Sequence, residues 1–151
     1  MRCAAGYDRP VPPELAEGSR REVTFSRVVL WLTAVAFIGF GLAFALWPEP
    51  MARITEIALP TPTARIDYVA TYGGFQTAFG VFLVACARRS AWLEPGLWAA
   101  AASLAGFGLF RLLGVAMSNG PVGTPIYVGL GLELGGAALN LLALRAAPRF
   151  P

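Results

Sequence analysis

The chain has 151 residues, of which 56% are hydrophobic and 14% charged, with a formal net charge of +3 and a mean hydropathy of +0.59. So little polar surface argues against a soluble domain of this size. The small positive charge points to anionic lipid headgroups as partners rather than to nucleic acid.

Taken in chain order, residues 1–25 hold "RPVPPELAEGSRRE", whose proline and charge content reads as a disordered cytoplasmic tail. Four apolar blocks follow, each close to the roughly 20 residues that a helix needs to cross a bilayer. The first, "VVLWLTAVAFIGFGLAFALW" (28–47), carries no charge, and "PEP" ends it because proline lacks the donor to continue. The loop that follows contains "MARITEIAL", for which a short amphipathic helix and an ordered coil both stay open. "TPTARIDY" announces the second span (66–87), with Thr61 placed to cap and Pro62 in the first turn. "RRSAWLEPG" is expected to separate it from the third span (96–117), and "SNGPVGTP" separates that from the fourth (125–144). Residues 147–151 form a second short tail. The expected fold is an all-α integral membrane four-helix bundle over residues 26–146, with antiparallel neighbouring helices.

Arginine counting orients it, since lysine is absent. Nine arginines (2, 9, 20, 21, 27, 88, 89, 145 and 149) fall on one side, and Arg53 and Arg65 on the other. Positive residues stay inside, so both termini are expected in the cytoplasm and the protein in the inner (plasma) membrane. No histidine is present, and the two cysteines are isolated; neither a metal site nor a cofactor is expected.

One arginine remains. In "GFGLFRLLGVAMSNG", Arg111 lies inside the third span, where a bare charge costs about 2.5–3.5 kcal/mol on insertion scales. A partner is visible in "GLELGG": Glu133 is the single carboxylate of the fourth span. If the two spans turn near Gly120, Glu133 lies three residues deeper than Arg111, about 4.5 Å at the rise of a helix and within reach of the side chain. Gly129, Glu133, Gly136 and Asn140 share one face of the fourth span; Gly108, Arg111, Gly114 and Ser118 share one face of the third. Gly131 and Gly135 make a small-xxx-small motif. In the second span Tyr68, Tyr72 and Gln76 recur every four residues, beside Gly73 and Gly74, with Asp67 nearer the surface. The expected site is therefore a polar cluster of Arg111, Glu133, Tyr72, Gln76, Asn140, Tyr68 and Asp67. Gly73, Gly74, Gly108, Gly114, Gly131, Gly135 and Gly136 are expected to permit close helix packing. "GFGL" occurs at 39–42 and again at 106–109, which fits either a duplicated hairpin or composition bias.

The succession "GFGLAFALWP", "ARIDYVATYGGFQTAFGVFLV", "FRLLGVA" and "LELGGAALNLL" resembles the bacterial membrane family called domain of unknown function 4345, over roughly residues 26–145. Tyr72-Gly73-Gly74, Arg111 with Gly114, and Glu133 carry the resemblance most specifically. It implies four spans and draws attention to the same polar positions; it implies no reaction.

The expected function is that of a multi-pass membrane protein, structural or small-ligand-binding, whose Arg111–Glu133 pair clamps spans three and four. The alternative is a lipid- or apolar-molecule-binding protein or enzyme using Arg111, Glu133 and Tyr72. Against catalysis, Arg111 would hold Glu133 ionised, and no nucleophile stands beside a base. Membrane lipids and an apolar or amphipathic small molecule are the partners considered; oligomerisation is left open.

Overall fold

Backbone polar groups in hydrocarbon must be satisfied within their own segment, and the apolar blocks accordingly form long helices. The computed structural model describes residues 13–147. Five helices follow one another: α1 (Pro13–Leu46), the short α2 (Pro48–Ile54), α3 (Pro62–Arg88), α4 (Ser90–Met117) and α5 (Thr124–Ala146). All but α2 are long and apolar enough to cross a membrane. The bundle thus has a loop end, with the α1–α3 and α4–α5 connections, and a termini end, with the α3–α4 junction.

Several boundaries differ from the sequence expectation. Helix α1 begins at Pro13, so the segment read as a disordered tail is helical from there on; residues 1–12 and 148–151 lie outside the described residues. "ELAEGSRRE" is rich in helix formers, and an adjoining span spares it the unfavourable nucleation step. The expected break at "RRSAWLEPG" shrinks to Arg89 alone, and α4 runs through Pro95. That proline lies early in the helix, where it removes one backbone bond without ending the span. The first loop forms α2, with Pro48 in its first turn. Thr61 caps α3 as expected, its hydroxyl accepting from the Ala64 N–H at 3.1 Å.

Helix α1 packs on α3, and α4 on α5; α1 also meets α5, and the Gln76–Arg88 half of α3 meets α4. The main core fills the termini half, around Leu30, Leu83, Cys86, Leu97 and Ala100. Polar stitches tie α1 to α5 there. The Ser26 hydroxyl donates to the Ala143 carbonyl at 2.8 Å, and the fully buried Asn140 donates to Thr33 Oγ1 at 3.0 Å and to the Gly136 carbonyl at 2.9 Å.

Glycine notches set the close contacts. A Cβ on Gly80 would stand 2.6 Å from Ile38 Cγ1 and 2.8 Å from the Ala34 carbonyl oxygen. Gly41 is similarly closed off by Thr77 and Gly73, and Gly73 by Ala45. In both copies of "GFGL" the second glycine packs, Gly41 on α3 and Gly108 on α5, while Gly39 and Gly106 face open space. The small-xxx-small expectation is corrected: a Cβ at Gly131, Gly135 or Gly114 would meet nothing within 4 Å, and one at Gly74 only the Val69 carbonyl at 3.9 Å. The motif turns outward because the opposite face of α5 carries Glu133, Gly136 and Asn140 toward α4 and α1.

At the loop end Arg65 donates to Glu49 at 2.6 Å, which holds the Glu49 carboxyl below its ordinary range. Its contribution is therefore present at neutral pH and lost as pH falls through that lowered value. Both partners are more than half exposed, so the pair is worth little. Glu49→Gln should leave the thermal midpoint of the purified protein within about 1 °C of the parent. Gly80→Ala should destabilise it by about 1–3 kcal/mol and Gly135→Ala should not, read by unfolding in mixed detergent.

Candidate functional site

Arg111 and Glu133 meet because of helix polarity as well as spacing. Side chains lean toward the N-terminus of their own helix. Helices α4 and α5 run antiparallel, so Arg111 leans toward the termini end and Glu133 toward the loop end, which closes the depth offset between them. The result is a two-pronged ion pair: Arg111 Nε donates to Glu133 Oε2 at 2.8 Å, and Nη2 to Oε1 at 2.6 Å. The fork matches guanidinium to carboxylate in one plane, the strongest form such a contact takes.

Two notches admit it. Gly108 on α4 receives α5, with Leu134 Cδ2 only 2.6 Å and Glu133 Cβ 3.4 Å from where a Cβ would be. Gly129 on α5 receives the guanidinium, Arg111 Cζ lying 3.2 Å from the corresponding point. The sequence set Gly129 on the face of Glu133 without assigning it to the site; the depth arithmetic that links residue 111 to about residue 130 already carried that signal. The arginine side chain keeps 31% exposure and the glutamate 14%.

The remaining expected members divide. Tyr72 stands within electrostatic range of Arg111 and joins an aromatic group with Phe44 and Tyr68, ring centres 5.0–5.6 Å apart. Tyr68 is buried and shares a 3.3 Å hydrogen bond with the Thr55 hydroxyl; it belongs to the packing of α2 on α3 rather than to the ion pair. Tyr68 and Tyr72 share a face across the π turn Val69–Phe75, their ring centres 5.0 Å apart. Gln76 is half-buried and Asp67 exposed, and neither joins the pair. Asn140 is corrected as well: it lies about two turns from Glu133 and bonds to Thr33 of α1.

Beside the pair lies a feature that the polar residues did not reveal. The π turn and the Gln76–Arg88 part of α3 both pack on α1, but only the Gln76–Arg88 part also packs closely on α4, so α3 and α4 part toward the loop end. An open groove of about 580 Å³ occupies the gap, lined by Phe75, Ser103, Gly106, Phe107, Phe110 and Arg111. Phe107 and Phe110 are exposed, as is Phe75. Glu133 occupies Nε and Nη2 of Arg111; Nη1 donates to no described residue. The groove thus joins an aromatic wall to an arginine with N–H donors that Glu133 leaves free. Its phenylalanines look like ordinary lipid-facing residues in the sequence.

A helical bundle with four membrane-capable spans and an ion pair between two of them defines a multi-span membrane protein. Residues 25–144 match the family described as Domain of unknown function (DUF4345), and the chain belongs to that family. No curated protein and no solved structure matches it.

Removing one partner leaves a bare charge in a span. Arg111→Met alone, or Glu133→Leu alone, should lower stability in bilayers by about 2–4 kcal/mol. The double variant should return to within about 1 kcal/mol of the parent, since interhelical polar contacts average little net energy in membranes. A double-variant cycle of unfolding free energies measures the coupling.

Proposed function

We propose that the protein is a membrane-embedded binding protein whose ligand enters the α3–α4 groove sideways from the bilayer. The ion pair has two parts to play in this reading. It clamps α4 to α5, and it holds the guanidinium rigid so that Nη1 presents a donor to the groove. The observation that carries the reading is that Arg111, with N–H groups not used by Glu133, and three exposed phenylalanines line one groove.

The chemistry of the wall selects the ligand class. The Arg111–Glu133 pair sums to zero charge, so an anionic head would leave a net buried negative charge, which is expensive in low dielectric. A neutral acceptor such as a ketone, ester or quinone-type carbonyl takes the hydrogen bond without that penalty. Its apolar body would lie against Phe75, Phe107 and Phe110, where aromatic faces add to area burial. The topology within this reading puts both termini in the cytoplasm and the protein in the inner membrane, supported by the nine arginines on that side of the sequence. The groove would then open toward the outer leaflet.

A prenyl-tailed benzophenone tests the reading directly, because it carries a carbonyl, partitions into membranes and crosslinks on irradiation. In proteoliposomes it should label peptides containing Phe75 or Phe107–Phe110. The Arg111→Met/Glu133→Leu double variant should be labelled about tenfold less, the worth of one hydrogen bond to a charged donor. Equal labelling of parent and double variant, or labelling confined to other faces, would refute it.

A further inference from the structure

The opposite end of the bundle holds a second feature, independent of the groove. Helices α3 and α4 are separated by Arg89 alone, in extended conformation with φ −118° and ψ 119°. This tight junction draws guanidinium groups from three segments onto one rim. Arg27 of α1 donates from Nη2 to the Ser90 hydroxyl at 3.1 Å, while its Nε is buried with no acceptor. Arg88, at the end of α3, lies with Cζ 5.8 Å from the centre of the Trp31 ring, one α1 turn from Arg27. Arg89 lies with Cζ 4.8 Å from the Trp92 ring.

No ion pair among the described residues engages any of these three arginines. The amino end of the 28-residue α4 adds partial positive charge beside them, and no side chain caps it. Among the described residues the nearest carboxylates in sequence, Glu22 and Glu94, form no ion pair with these three cations, so the cations repel one another and an external anion relieves that repulsion. The surroundings say which anion. Phe25 and Val28, which flank Arg27 in the sequence, and Trp92, which lies under Arg89, are exposed, and tryptophans at such positions mark the headgroup level of a bilayer. An anion that brings its own acyl chains covers those residues; free phosphate does not.

We infer that Arg27, Arg88 and Arg89 form a binding site for the phosphodiester headgroup of an anionic membrane lipid, bridging α1 to the α3–α4 junction. Arg27 supplies a preformed anchor, because its bond to Ser90 fixes the guanidinium at the junction. Arg88 and Arg89 are positioned by their tryptophans, a geometry that leaves their N–H edges free for phosphate oxygens. The acyl chains run along Phe25, Val28 and Trp92.

The test uses the full chain purified in a neutral detergent and titrated with phosphatidylglycerol, phosphatidylcholine or inorganic phosphate. Bound lipid is counted by native mass spectrometry and the thermal midpoint is followed in parallel. Phosphatidylglycerol should be retained preferentially and raise the midpoint, and each arginine changed to glutamine should weaken its binding about fivefold. The loop-end control Arg53→Gln/Arg65→Gln should change nothing. Equal retention of the two lipids overturns the site, as does a triple Arg27→Gln/Arg88→Gln/Arg89→Gln variant that binds like the control. An equal midpoint shift from inorganic phosphate overturns the lipid assignment in favour of a free-anion site. Should the triple variant fail to fold, the single Arg88→Gln variant, whose side chain is exposed, decides by the same mass-spectrometric ratio.

Discussion

The rest of the architecture depends on a charge that cannot be left alone in hydrocarbon. Arg111 makes α4 unacceptable as an isolated span unless a counter-ion reaches it, and Glu133 does the same to α5. The two helices therefore become acceptable together, as a hairpin. The forked geometry then fixes more than their association. A one-residue slip or a rotation of either helix would pull the guanidinium out of the Gly129 notch or Leu134 out of Gly108. Register, rotation and interaxial distance are thus set at one place by one contact.

The other hairpin reaches a comparable end by different means. Among the described residues helices α1 and α3 share no such pair and are brought together by bare backbone at Gly41, Gly73 and Gly80, with Phe44, Tyr68 and Tyr72 closing the loop end. One hairpin is joined by charge and the other by close backbone and rings. Termini-end contacts unite them: Asn140 to Thr33, Ser26 to Ala143, and the apolar core between. The bundle is accordingly well tied at one end and parted at the other, where the π turn follows α1 and draws away from α4. The groove follows from that asymmetry.

The imprint of the structure on the sequence was strongest where a physical penalty left few solutions. The four spans follow from run length, the Thr61 cap from side-chain chemistry, and the Arg111–Glu133 contact from antiparallel depth and the cost of an unpaired charge. It was weakest where several faces of one helix satisfy the same rule. Gly131 and Gly135 have the spacing of a packing motif, yet Gly129 and Gly136 do the packing, because the motif does not say which face meets a neighbour. Tyr68 and Tyr72 keep the shared face that their spacing indicates, yet neither they nor Gln76 bonds to the ion pair. Asn140 lies on the face of Glu133, but at its depth the neighbour it bonds to is Thr33 of α1. Pro95 suggested an interruption and received only a lost hydrogen bond. The groove was not legible at all, since phenylalanines facing lipid and phenylalanines facing a gap have the same pattern.

The parting of α3 from α4 opens through the side of the bundle, so anything occupying it arrives from the acyl phase. Occupancy is then governed by mole fraction among lipids and not by molarity in water. Each methylene of a tail adds about 0.8 kcal/mol of partitioning, so eight carbons enrich a solute at that doorway by about 10⁴–10⁵-fold. A cleft offering one donor and a few rings can fill at trace aqueous levels on that account. If a ligand binds as proposed, selectivity among equally greasy molecules rests with the head that meets Arg111.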